Sequence, residues 1–293
     1  METLEQFRCK LVSLCVGTKL DEGVHTVTFQ PLKARVNQDR VMTEKWNISG
    51  QTWLFLAVCD GHGGTETPKY TVQYLPGRIH AALQTLCSPT DGLDPNVKEQ
   101  FQESISALLS EEIERFDREI GEAVTTLCKD PRKLMEAQAR LLVEKHAETL
   151  SRAYHGTTLT FALINLTREG LWVAWVGDLT VSLSCTNPDG TRSGEKLLDL
   201  HTPTTPSEYF RVSMSHPAAE QDIFSGDRLL GTLSMTRAIG NFLLRFHSSL
   251  TQLFSYLPTT ASSSYISGIT KYSKTPPYVI AKPSLRYINL QPF

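Results

Sequence analysis

An α+β layered domain is the fold class this sequence predicts, and three observations predict it. The first third is rich in strand-forming runs, KLVSLCVG, VHTVTFQ and TWLFLAVC, with turn residues between them. From Asn96 the apolar positions Val97, Phe101, Ile105, Leu108, Leu109, Ile113, Phe116, Ile120 and Val124 recur at helical spacing. Strands return after Gly156. Strands, then long helices, then strands point to segregated layers rather than alternating βαβ units.

Each later element has its own reason. Pro76-Gly77 punctuates the chain, and Ile79, Leu83 and Leu86 beyond it suit a short helix. Asp130-Pro131 interrupts the long helix. Asp130 suits an N-cap and Pro131 a first helical position, so a second helix is expected from there to about Tyr154. TLTFALINL, GLWVAWVG and TVSLSC read as strands, and the turn Asn187-Pro-Asp-Gly190 predicts a hairpin. Residues 201–228, with Pro203, Pro206 and Pro217, read as loop. Residues 248–277, rich in Ser and Thr, read as an irregular insertion. YVIAK and LRYINL are expected as two last short strands. The whole is expected as a single domain over residues 8–293.

Composition narrows the function classes. The chain has 293 residues, 40% hydrophobic and 20% charged, with a formal net charge of −2. That balance carries no polybasic signature for nucleic acid or an anionic membrane. No apolar run is long enough to span a bilayer. The N-terminus has early glutamates and no basic region before an apolar core, so no signal or transit peptide is expected and a cytoplasmic or nuclear setting is. The sequons at Asn47 and Asn165 are then chance matches. The six cysteines form no CxxC pair, which argues against both a disulfide framework and a zinc site. None is followed by Arg at the spacing of a phosphate-cradling C-x5-R loop, and no Gly-rich loop ends in Lys-Ser/Thr.

The stretch AVCDGHGG at 57–64 runs an apolar strand into a carboxylate, a histidine and three glycines. A strand end would hold Asp60 rigidly, and the glycines allow a sharp turn and close approach of a ligand. Asp60 and the Gly61 carbonyl are oxygen donors of the kind Mg2+ and Mn2+ take, and His62 beside them could move a proton. A plain polar turn with a capping Asp reads the same pentapeptide equally well.

Four further stretches stand in order around it: ARVNQDRV with Arg35, Gln38 and Asp39; HGTTLTFAL at 155–163; WVAWVGDLTVSL at 172–183; and GTLSMTRAIGNFLL at 231–244. Together the five resemble the successive motifs of the PPM family, the metal-dependent (type 2C) Ser/Thr protein phosphatases. HTPTTPSEYFR at 201–211 is similar to a weakened form of a further family loop. The resemblance runs over about residues 8 to 290. It implies a β-sandwich of two mixed sheets flanked by pairs of antiparallel helices. It also implies two Mg2+ or Mn2+ ions and a metal-bridging hydroxide that hydrolyses phosphoserine or phosphothreonine in a phosphoprotein substrate. Carried over to this chain, Asp60 and the Gly61 carbonyl bind metal, and Asp39 holds the first metal's waters. His62 protonates the leaving oxygen, Arg35 grips the phosphate, and Asp178 matches a carboxylate of a weaker third metal, although a turn Asp capping a strand end reads the same position equally well. Thr157, Thr158, Arg237 and Cys59 are read as structural.

Two departures accompany the resemblance. Asn241 stands where the family has a metal-binding Asp, so that ligand position loses its charge. The family also continues past the equivalent of LRYINL with strands carrying two more metal carboxylates, and this sequence stops at Phe293. Its C-terminal strands are thus expected to be missing. Two functions follow from these features: a Ser/Thr phosphatase with a weakened metal site, or a phosphatase-like protein that binds phosphoprotein without turnover.

Overall fold

The computed structural model describes residues 3–21, 23–32, 35–87, 95–187, 189–258 and 263–290. Its elements run α1 (Leu4–Val12), β1 (Cys15–Asp21), β2 (Val24–Phe29), β3 (Arg40–Ile48), β4 (Gln51–Cys59), β5 (Gly61–His62), α2 (Glu66–Leu86) and α3 (Pro95–Leu127). Then come α4 (Glu136–Lys145), α5 (Ala147–Tyr154), β6 (Gly156–Thr157), β7 (Leu159–Asn165), β8 (Gly170–Val176), β9 (Ser182–Thr186) and β10 (Arg192–Lys196). Last are α6 (Pro206–Ser215), β11 (Phe224–Ser225), β12 (Arg228–Leu229), β13 (Ile239–Gly240), α7 (Ser248–Thr251), α8 (Ser263–Tyr272) and β14 (Ser284–Asn289). The class is α+β. Among the described residues no helix is long and apolar enough to cross a membrane.

A five-stranded antiparallel sheet, ordered β14-β8-β7-β4-β3, is the frame. Alternation along the strands sends Trp53, Phe55, Ala57 and Cys59 of β4, and Phe161 and Leu163 of β7, into one core. There they meet the apolar stripe of α3, in which Ile105, Leu109, Ile113 and Val124 are fully buried. α2 lies along α3, with Tyr70 stacked on Phe116 at 5.3 Å and Arg78 reaching Glu112 and Glu119. The opposite face of β8 sends Leu171, Val173 and Trp175 into a second cluster with Leu197 and Leu198. Toward β4 that face carries Leu56 and the exposed Val58, bordering a groove edged by Val24 of β2 and by Val181.

Several local expectations are corrected. KLVSLCVG is not one strand: α1 occupies its first residues, started by a capping box from Thr3 and Gln6, and β1 begins only at Cys15. β3, over RVMTEKWNI, was not expected as a strand. α2 runs straight through Pro76-Gly77. The missing Pro76 N–H and its ring cost about 3 kcal/mol in a helix interior, and burial of Leu75, Pro76, Ile79 and Leu83 on one stripe offsets that. The helix expected over 130–154 is broken into a 3-10 turn at Pro131–Lys133, α4 and α5, with the break at His146 (φ −121°, ψ 29°). The stretch 201–228 contains α6, whose Pro206 fills the first turn, where an N–H has no helical partner.

The described part of 248–277 is largely helical. Its Leu253, Phe254, Ile266 and Ile269 are buried in the main core, so apolar contacts order a segment whose Ser and Thr content suggests none. YVIAK contributes only a bridge from Ile280 to Arg237. Residues 259–262 of the insertion, Pro188 of the hairpin turn and the last three residues lie outside the described set.

Candidate active site

The site grows from the end of β4. Its buried strand stops at Cys59, and the next residues, Gly61–His62, leave the large sheet to pair with Gly156–Thr157. Gly156–Thr157 in turn pair on their other side with Ile239–Gly240. A three-stranded sheet, β13-β6-β5, therefore joins DGHGG, GTT and RAIGN, stretches separated by roughly ninety residues in each case.

Thr157 and Thr158 lock Asp60 by its backbone. The Asp60 carbonyl accepts from Thr158 N and from Thr157 Oγ1, both at 3.0 Å, and Asp60 N donates to Thr158 Oγ1 at 3.2 Å. Gly61 is required by crowding: a Cβ there would lie 2.4 Å from the Gln38 carbonyl oxygen and 2.7 Å from Pro68 Cγ. That contact brings the Asn37–Asp39 loop against the turn. Asp39 is set by its own N–H, which donates to Asn37 Oδ1 at 2.9 Å. Its carboxyl lies close enough to Asp60 for the two charges to interact.

Three carboxylates thus lie at one end of the large sheet. Asp178 follows β8 through Gly177 (φ +116°), whose N–H donates to His201 Nδ1 at 3.1 Å. Burial, then the charges of Asp39 and Asp178, push the Asp60 carboxyl up to about 6. Among the described residues none of the three is in an ion pair with Lys or Arg. Oxygen donors with uncompensated negative charge are the chemistry that Mg2+ and Mn2+ require, so this set fits a hard divalent ion. Among the described residues no three His, Cys, Asp or Glu side chains are gathered closely enough to hold an ion unaided. Waters and the Gly61 carbonyl would have to complete the coordination.

Asn241 sits at the His62 ring. Its Oδ1 lies 2.7 Å from His62 Nε2, and an amide oxygen only accepts, so that nitrogen carries the proton. Burial lowers the His62 pKa below its ordinary value, and Nδ1 is buried. Asn241 adopts the left-handed conformation (φ 53°) that Asn tolerates, after Gly240 at φ +81°. A Cβ at Gly240 would meet the His155 carbonyl at 2.4 Å.

Four residues that sequence reading passed over build this turn. Asp117 Oδ1 accepts from Gly240 N at 2.8 Å, and its other oxygen pairs with Arg245, which also donates to the Ala238 carbonyl. Asp117 was legible as an anomaly, a carboxylate set in the apolar stripe between Ile113 and Ile120. His155 accepts Asn241 N on its carbonyl at 2.9 Å, and its ring fills the space where Gly64 lacks a side chain. Glu208 anchors Arg237 and Arg211 and accepts from Thr236. Arg237 is therefore structural. So is Cys59, fully buried, with its thiol pushed up to about 12 by burial.

Arg35 is not drawn in. It is exposed on the loop before Asp39, its N–H donating to the Leu32 carbonyl at 2.9 Å. It does not line the cleft of about 260 Å3 that opens beside His62, Gly63 and Asn241.

Comparison with known proteins identifies the family. The Protein phosphatase 2C family model matches residues 124–291, more than half of the chain, and the chain belongs to that family. A protein phosphatase 2C homolog of Schizosaccharomyces pombe is 26% identical over 283 residues, covering 92% of this chain and 57% of the relative. The mitochondrial pyruvate dehydrogenase (acetyl-transferring) phosphatase 1 of Saccharomyces cerevisiae is 26% identical over 237 residues, 78% of this chain and 37% of the relative. A serine-threonine phosphatase 2C structure from Toxoplasma gondii aligns with a TM-score of 0.44 at 15% identity, over 87% of this chain and 74% of that one. The chain spans about half the length of the curated relatives it matches.

Proposed function

We propose that this chain is the catalytic portion of a metal-dependent protein serine/threonine phosphatase. The observation that carries the reading is the placement of Asp39, Asp60 and Asp178 at one end of the sheet beside His62, with no side-chain ion pair to any of the three among the described residues. Asp60, Asp39 and the Gly61 carbonyl would hold Mg2+ or Mn2+, with Asp178 at the margin. When bound, the metal supplies Lewis-acid chemistry, stabilising charge at phosphorus and activating water.

The chain's own residues do the rest. The Thr157–Thr158 latch holds the Asp60 backbone still. His62 keeps a proton on Nε2, directed by Asn241, for the departing serine or threonine oxygen. A phosphate dianion beside the ring favours the charged imidazole and opposes the effect of burial. Arg35, whose planar guanidinium suits phosphate oxygens, would meet the substrate from the loop before Asp39.

Asn241 favours a second reading, since its amide brings no charge and its oxygen is committed to His62. In that reading the chain binds phosphoprotein and does not turn it over. The deciding experiment is phosphate release from a phosphothreonine peptide, with and without Mn2+, beside Asp60→Asn. Mn2+-dependent release that the substitution abolishes supports the phosphatase. Peptide binding by folded protein with no release supports the binding protein. Full activity in Asp60→Asn overturns the role given to Asp60.

A further inference from the structure

The cleft next to His62 is built mainly by segments other than the metal-side motifs. His62 and Asn241 form its inner end, and Met235, Leu244 and Ile269, all buried residues, form apolar walls. Its rim is made by Arg228 and by Tyr265 of α8. Arg228 Nη1 donates to the Thr232 carbonyl at 2.8 Å, and the Tyr265 side chain hydrogen-bonds the Thr232 side chain. Two chain segments that are distant in sequence are thus fixed to each other across the mouth. The insertion helix α8 supplies both Ile269 inside and Tyr265 outside.

Size and charge restrict the occupant. At about 260 Å3 the cleft is below the usual range of small-molecule pockets, which begins near ~300 Å3. It is well above the ~150 Å3 that holds a benzene ring, so it admits one large side chain. Among the described residues Arg228 is in no ion pair, so the rim presents positive charge to whatever approaches. An apolar side chain carried on a negatively charged peptide matches both properties.

We propose that this cleft is a specificity subsite for a large apolar side chain flanking the phosphoserine or phosphothreonine of the substrate. The assignment rests on the phosphatase reading, in which His62 faces the departing side-chain oxygen and the substrate backbone runs on past its ring. The α8 wall makes the selection a property of the insertion.

Binding tests this without requiring turnover. Fluorescence anisotropy of the full chain would use phosphothreonine peptides with Leu or Ala at each of the two positions on either side, and their unphosphorylated versions. A Leu peptide should bind about tenfold more tightly than its Ala partner at one position, as burial of a large apolar side chain requires. Ser234→Trp, which fills the cleft, should abolish that preference, and Tyr265→Ala, at an exposed site, should reduce it to about twofold. Circular dichroism verifies that both variants are folded. Equal binding of Leu and Ala peptides, with phosphorylation still required, overturns the subsite and leaves the phosphatase reading standing. Indifference to phosphorylation, or no binding at all, overturns both. A Leu preference that survives both variants places the selecting surface elsewhere and overturns the assignment.

Discussion

Asp117→Ala should destabilise the chain more than any surface carboxylate change, through the turn that presents Asn241. Asp117 is 4% exposed and holds Arg245, whose side chain is 8% exposed, while also accepting from Gly240 N at 2.8 Å. Removing one partner of a buried ion pair leaves an uncompensated buried charge and costs about 3–5 kcal/mol. At roughly 2 °C per kcal/mol for a chain of this size, the melting temperature should fall by about 6–10 °C. Thermal melts followed by circular dichroism would measure this for Asp117→Ala, Arg245→Ala and the double variant. The double variant should cost much less than the sum, because each single change is dominated by the partner it orphans, the Arg245 guanidinium in one and the Asp117 carboxylate in the other. A single-variant cost below about 1 kcal/mol, or strict additivity, would refute the argument that this pair organises the turn.

Three other outcomes follow from the same geometry. Gly61→Ala should fold but lose Mn2+-dependent turnover, since its Cβ must push the Gln38 carbonyl and the Asp39 loop away; unchanged turnover would contradict the crowding argument. Asp60, raised from 3.8 to about 6, takes up its proton in the folded state before the unfolded one does. Stability in chelator should therefore fall as pH rises from about 4 to 6, and Asp60→Asn should melt higher than wild type at pH 7.5 with no advantage below pH 4. Glu208 behaves oppositely: burial raises its pKa, but bonds from Arg237, Arg211 and Thr236 outweigh that and hold it at about 2. Its contribution is present above about 4.5 and is lost as pH falls toward 2, so the penalty of Glu208→Gln in urea titrations should shrink with acidification.

The parts of this molecule legible in its sequence are those written in local periodicity. α3 announced itself through apolar positions repeated along one helix face, and β4, β7 and β8 through apolar runs bounded by turns. The DGHGG turn was legible for the same reason, since a strand must end where a carboxylate and glycines begin. Local punctuation misled where tertiary burial outweighed it. Pro76 sits inside α2 because the stripe around it is buried, and α6 begins at a proline that reads as loop. The bond between Asp117 and Arg245 crosses 128 positions and has no local trace, although a carboxylate in an apolar stripe signals that a partner must exist. The Asn241–His62 contact is equally non-local; the motif resemblance puts Asn241 at a ligand position, and its amide oxygen lies at His62.

The latch on Asp60 has a further consequence. With its carbonyl held by two donors and its N–H by a third contact, the residue cannot withdraw its main chain from Asp39 to relieve their repulsion. The reorganisation that a floppy loop would undergo on meeting a cation has already occurred during folding. In the proposed metal-dependent reading, an arriving ion would meet ligands already fixed, and relief of their repulsion would add to its affinity. Loosening the latch, as in Thr157→Val, would let the carboxylates spread, making the empty protein more comfortable and the ion less welcome.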